Sequence, residues 1–194
     1  PAAQRLRFLL DFSYATGLRA AELVGARLGH IKQDSNGARW LHVRGKGAKP
    51  GKVALPPLAT VSLDQYLATR GVPTTPHLQA PSIYIVGRLE VEEAGPLTTS
   101  RLWAVCKRFF ATAAAVVGDG NPGLAEKLLA ATPHWMRHTH ASHSLQRGVD
   151  LPAVRDNLRH ASIGTTSTYL HVDDERRSKQ IAGAFEIGGR GPGR

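Results

Sequence analysis

The feature that most narrows the fold is the punctuation of residues 134–171. Pro133 precedes this stretch, Gly148 interrupts it and Pro152 reopens it. Glycine just past a helix and proline in the first turn of the next suit the backbone at those places. The pattern predicts a helix over 139–147 ended by Gly148, and a second over 151–158 with Asp150 as its N-cap. A short segment over 165–170 then carries Tyr169.

Between these marks the chain reads H-W-M-R-H-T-H-A-S-H and, later, L-R-H-A-S-I-G-T-T-S-T-Y-L-H. Arginine, histidine and one late phenol suit chemistry on a phosphate. A guanidinium offers planar, paired hydrogen bonds to phosphate oxygens and stays charged. Imidazole donates or passes a proton near neutrality. A tyrosine oxygen is a nucleophile once its surroundings help it ionise. His134 and Arg137 are three apart and share a helical face.

Upstream segments can supply further cations. Leu6, Leu9, Leu10, Phe12 and Tyr14 recur at near-helical spacing, predicting an amphipathic helix over 3–15 that Gly17 breaks. A-A-E-L-V resumes a helix after Arg19, so Arg19 sits beside the break, with Glu22 three residues on as a pairing partner. Taken alone, that pair reads as a surface ion pair. Two strand-like runs, 40–43 and 52–55, flank R-G-K-G-A-K-P-G. This predicts a β-hairpin with Pro50-Gly51 in a type II turn, Lys46 near its tip, and Lys49 and Lys52 beside it. A basic glycine-rich turn alone is commonly a solvated loop. Residues 58–69, about 99–117 and 124–131 are further helix candidates, with Thr98, Thr99 or Ser100 to cap the middle one. Residues 82–86 are a third strand-like run, 118–123 a loop, and Tyr66 and Tyr84 packing residues.

Charge points to the partner. Lys and Arg number 25 against 15 Asp and Glu, a net +10, with a sequence pI near 10.4. That balance favours a polyanion such as nucleic acid. The lone Cys106 excludes an internal disulfide and fits a reducing compartment. No apolar run nears the length of a membrane span, so no membrane partner is expected. His134 and His138 have i, i+4 spacing, but the pattern is not H-E-x-x-H and no carboxylate lies among these histidines. No metal is therefore assigned.

Four segments, T-G-L-R-A-A-E-L, R-G-K-G-A-K-P-G-K-V-A-L-P, H-W-M-R-H-T-H-A-S-H and L-R-H-A-S-I-G-T-T-S-T-Y-L-H, occur in this order. Together they resemble the motifs of the tyrosine recombinases, the phage integrase family, over about residues 3–172. The resemblance implies an α+β catalytic domain, mainly helical with a small antiparallel sheet. It implies Arg19, Lys46, His134, Arg137, His160 and Tyr169 as catalytic residues, with Glu22 in support and Lys49 and Lys52 on DNA. It implies metal-free cleavage and rejoining of DNA through a 3′-phosphotyrosyl link, with no cofactor. Its implied partners are double-stranded DNA and a homotetramer assembled on it, in the cytoplasm at the nucleoid.

Two departures stand out: Arg159 replaces the glycine usual in L-G-H, and M-R-H-T-H stands where L-R-H-T-F is frequent. The expected layout is a catalytic domain over 1–187 and a disordered tail over 188–194, without the family's N-terminal helical DNA-clamping domain. Residues 173–187 include I-A-G-A-F, a candidate docking element between protomers. Two alternatives stay open: a type IB topoisomerase-like activity and an inactive DNA-binding protein.

Overall fold

The computed structural model describes residues 2–45, 47, 49–75, 78–87, 95–160, 163–167 and 182. Helix α1, Ala2–Thr16, turns Phe8, Leu9 and Phe12 inward. Phe8 stacks on Tyr66 of α3, Pro57–Thr69, with ring centroids 4.5 Å apart and planes 6° from parallel. Between these helices come α2, Ala20–Gly25, a single 3-10 turn at Leu28–His30, and a three-stranded antiparallel sheet. Its strands are β1, Ile31–Gln33, β2, Arg39–Arg44, and β3, Pro50–Ala54, in the order β1-β2-β3. Leu41 and Val53, cross-strand partners, are fully buried and seal the sheet onto the helices.

Helix α4, Thr99–Val117, is capped by the Thr98 hydroxyl, which accepts from the Arg101 amide at 3.2 Å. Helix α5 spans Pro122–Ala130 and α6 Pro133–Gln146. Helix α7, Leu151–Leu158, begins where the Asp150 carboxylate accepts from the Ala153 amide at 2.6 Å, and α8 is Ile163–Ser167. A small second core of Ala141, Leu145, Val154 and Leu158 joins α6 to α7. Among the described residues no helix is long and apolar enough to cross a membrane.

The mainly helical fold with a small sheet agrees with the expectation, but several local readings are corrected. Pro50 and Gly51 are not turn residues: they pair with Arg44 and Val43 inside β3. The reversal lies earlier, closed by the Gly45 amide donating to the Lys49 carbonyl at 2.8 Å, with Gly47 at φ +70°. Proline is tolerated there because it opens the strand and needs no donor inward. Residues 82–86 do not form a strand of the sheet; Tyr84 makes one isolated bridge to Arg27, and the third strand is β1. Helix α6 starts at Pro133 rather than 139, since proline fits its first turn and places His134 and Arg137 inside the helix. Helix α5 likewise starts at Pro122, with Asn121 accepting from the Leu124 amide.

Candidate active site

Gly17 sets the geometry of the site. It ends α1 at φ +63°, and a Cβ there would stand 2.7 Å from both His140 Cδ2 and Leu158 Cδ2. Only glycine lets the α1–α2 corner sit this close to α6 and α7. The corner delivers Arg19 as the residue before α2. Glu22 reaches back to the start of its own helix and accepts from the Arg19 amide at 2.8 Å, as the glutamate of a capping box does. Its other oxygen accepts from Arg19 Nη1 at 3.0 Å.

This is not a surface ion pair. Glu22 is only 7% exposed, and a second guanidinium, that of Arg159, also donates to it. Burial works to raise the Glu22 carboxyl, but the hydrogen bonds from Arg159 and the Arg19 amide outweigh it and hold it below its ordinary range.

Arg137 comes up from α6. Its guanidinium is 1% exposed, and it donates from Nη1 to the Gly17 carbonyl at 2.7 Å and from Nη2 to the Leu158 carbonyl. One planar fork thus ties the end of α1 to the end of α7. His134, one turn earlier on α6, meets His138 edge-on with centroids 4.5 Å apart. Burial lowers its pKa, helped by the charges of His138, Arg137 and Arg19.

Helix α7 ends in a Schellman motif. The His160 amide donates to the Arg155 carbonyl at 3.1 Å and the Arg159 amide to the Asp156 carbonyl at 3.0 Å. Arg159 takes the left-handed position, φ 54° and ψ 48°, the single non-glycine with positive φ among the described residues. Glycine is the usual occupant, and a side chain there costs about 1–2 kcal/mol. The departure noted in the sequence therefore leaves the backbone geometry in place. His160 follows, with Nδ1 2.7 Å from the hydroxyl oxygen of the fully buried Thr166 on α8. Its pKa is pulled down to about 4, first by burial and then by the charges of Arg137, Arg19, His134 and Arg159. Arg19 and Arg137 reach the backbone just before this ring, at the Arg159 and Leu158 carbonyls.

The structure therefore gathers Arg19, Glu22, His134, Arg137 and His160. Lys46 and Tyr169 lie outside the described residues, as do residues 173–181 and 183–194. Of the hairpin lysines expected on DNA, Lys49 is exposed, and Lys52 places its ammonium 4.2 Å from the Trp40 ring centroid. A concavity of about 680 Å³ between α1, the hairpin, α6 and α7 is lined by other residues, among them Tyr14, Trp40 and His143. It is not this site.

Sequence reasoning missed several supporting contacts. Thr166 is one of many threonines near Tyr169, and nothing in the pattern marks it as the partner of His160. Asn157 accepts from the Ala54 amide of β3 at 2.9 Å and faces His140 Nε2 at 3.2 Å, while His140 Nδ1 lies 2.8 Å from the Tyr14 carbonyl. Arg159 did leave a signal, since an arginine in a glycine position asks for a reason.

A mainly helical domain thus brings together two arginines, two histidines and a buried glutamate, and guanidiniums so placed suit an anion such as phosphate. The profile of the phage integrase family matches residues 1–176, and the chain belongs to that family. The tyrosine recombinase XerD of Brucella abortus (biovar 1, strain 9-941) is 38% identical over 184 residues, 93% of this chain and 52% of that protein. XerC of Herpetosiphon aurantiacus is 31% identical over 181 residues, again 92% against 52%. The chain thus spans about half the length of these curated relatives. Among solved structures, the XerH site-specific recombinase bound to difH substrate superposes with a TM-score of 0.61 at 22% identity, over 94% of this chain and 47% of that one. The Tn1549 transposon integrase with transposon right end DNA gives 0.65 at 17%, over 92% and 58%. At these identities the likeness speaks for the fold.

Proposed function

We propose that this chain is the catalytic part of a site-specific DNA recombinase that cuts and rejoins strands through a tyrosine. The observation that carries the reading is that Arg19 and Arg137, from different elements, both donate to the backbone at the end of α7 directly before His160, at the Arg159 and Leu158 carbonyls. In this reading the Tyr169 oxygen attacks the scissile phosphorus in line. The P–O bond to the 5′-oxygen breaks, and a 3′-phosphotyrosyl link forms. A 5′-hydroxyl from the partner strand then attacks that link and releases the phenol.

A free phenol has a pKa near ~10 and needs neighbouring cations to ionise. Arg19 and Arg137 donate to the non-bridging oxygens and offset the charge that grows on them. His160 is neutral near pH 7, and in the tautomer whose Nδ1 accepts from the Thr166 hydroxyl the other nitrogen carries the proton and donates to phosphate. Lys46 protonates the departing 5′-oxygen, a transfer worth ~10²–10⁴ in rate. His134 holds phosphate or assists the proton. The chemistry is complete without a metal, because guanidiniums supply the positive charge.

The same reading makes double-stranded DNA the substrate, in the cytoplasm at the nucleoid, with a homotetramer joining two duplexes. It treats residues 1–187 as the catalytic domain and 188–194 as a tail, with a separate DNA-clamping domain in the whole protein. The test is strand exchange between two labelled duplexes carrying the target site. Recombinant product that Tyr169→Phe abolishes supports the proposal. Relaxation of supercoiled DNA without exchange would move the activity to the topoisomerase class, and binding without cleavage to an inactive DNA binder.

A further inference from the structure

Arg159 occupies a left-handed helix-end position that glycine fills more easily. Its side chain does not run out into solvent. Nη1 donates to the Asn157 carbonyl at 3.0 Å, and Nη2 to the buried Glu22 carboxylate. The Arg159 carbonyl meanwhile accepts from Arg19 Nη2 at 3.4 Å. The methylene stem lies on β3: a Cβ added to Gly51 would stand 2.4 Å from Arg159 Cδ, and its three nearest atoms all belong to Arg159. The absence of a side chain at position 51 is thus explained by the arginine that crosses it. Glu22 already has Arg19 as an ion-pair partner, so a second guanidinium is not needed to neutralise it. What Arg159 adds is a tie between three elements: the end of α7, the start of α2, and the hairpin strand a few residues along the chain from Lys46.

We infer that Arg159 is a positioning residue that clamps β3 and the Glu22 carboxylate to the end of α7, holding Arg19 and the hairpin in register for cleavage. It acts through Glu22, Arg19 and the hairpin, the groups its side chain and carbonyl touch. The inference rests on the proposed function for the reaction but not for the clamp itself.

The test uses the chain and its Arg159→Gly, Gly51→Ala and double variants. Two quantities are measured for each: the single-turnover rate of adduct formation at saturating duplex DNA, and the thermal midpoint. Arg159→Gly relieves the backbone and is expected to fold. Its cleavage rate should fall about tenfold to a hundredfold, the effect of an ångström-scale misplacement of reacting groups, while DNA affinity changes far less. Gly51→Ala should displace the arginine and reproduce much of that loss. The double variant should be no slower than Arg159→Gly, because the new methyl then meets open space. Midpoints should show the same non-additivity.

A wild-type rate in Arg159→Gly would overturn the inference, and so would full additivity of the two substitutions in rate or midpoint. A parent chain that binds its site yet forms no adduct would instead refute the proposed function. The four midpoints would then still decide whether the clamp exists.

Discussion

Replacing Arg137 with lysine separates what the guanidinium does for the fold from what it does for the reaction. Arg137 is almost fully enclosed, and two of its nitrogens reach two different carbonyls, Gly17 at the end of α1 and Leu158 at the end of α7. One ammonium nitrogen cannot occupy both places. One carbonyl is then left buried without that donor, at about 1–3 kcal/mol. For a domain of this size each kcal/mol moves the midpoint by roughly 2–4 °C, so Arg137→Lys should melt about 2–12 °C lower. Differential scanning calorimetry in the absence of DNA reads this directly. The catalytic loss should be larger, because a preorganised donor to a developing oxyanion is worth ~10²–10³ in rate. Adduct formation, measured well below the lowered midpoint, should fall by at least that factor although the protein is folded and binds DNA. An unchanged midpoint would contradict the bridging fork, and near-normal cleavage would remove Arg137 from the phosphate.

Other consequences follow from the same contacts. Thr166→Val keeps the buried volume but removes the hydroxyl beside His160 Nδ1; cleavage should slow about tenfold or more as the ring loses its orientation, which single-turnover trapping would show. Gly17→Ala imposes a left-handed alanine and a methyl 2.7 Å from two side chains, so urea unfolding should show a loss of about 2–5 kcal/mol.

The pH dependence has a definite sign. His160 titrates at about 4 when folded against an ordinary 6.5, and His30, His134, His138 and His140 are lowered too. Between those values the unfolded chain binds protons that the folded chain refuses, so stability must fall on acidification from about pH 6.5. Glu22, lowered as a carboxyl, holds its stabilisation above its ordinary value of 4.5 and loses it only as pH falls through its lower folded value. Melts from pH 7 to 5 should therefore decline, and less steeply in His160→Asn. Duplex DNA, by bringing phosphate to His160, should drive proton uptake in that range, measurable by calorimetry in buffers of different ionisation enthalpy.

Much of this was legible because the signals are local. Apolar spacing gave α1, the Asp150 and Pro152 pair gave α7, and His134 and Arg137 shared a face as their spacing requires. Errors arose where a tertiary neighbour overrode a local preference. Pro50-Gly51 has turn chemistry, yet both residues pair within β3, where Arg159 fills the space a Gly51 side chain would take. The run 82–86 has strand composition, yet among the described residues it joins no sheet and makes one isolated bridge, Tyr84 to Arg27. Glu22 looked like half of a surface pair, and its burial under two guanidiniums depends on a residue 137 positions away. Thr166 and Asn157 left no trace, since ordinary side chains become supports only once α8 and β3 are brought to them.

The most direct measurement is covalent trapping on a nicked duplex drawn from DNA bordering the gene, with EDTA present, using the full-length protein. Digestion and mass mapping then locate any nucleotide-bearing peptide. An adduct on Tyr169 is expected, formed without metal and absent from Tyr169→Phe. An adduct on another residue, its persistence in Tyr169→Phe, or firm binding to a demonstrated target site with no adduct would contradict it.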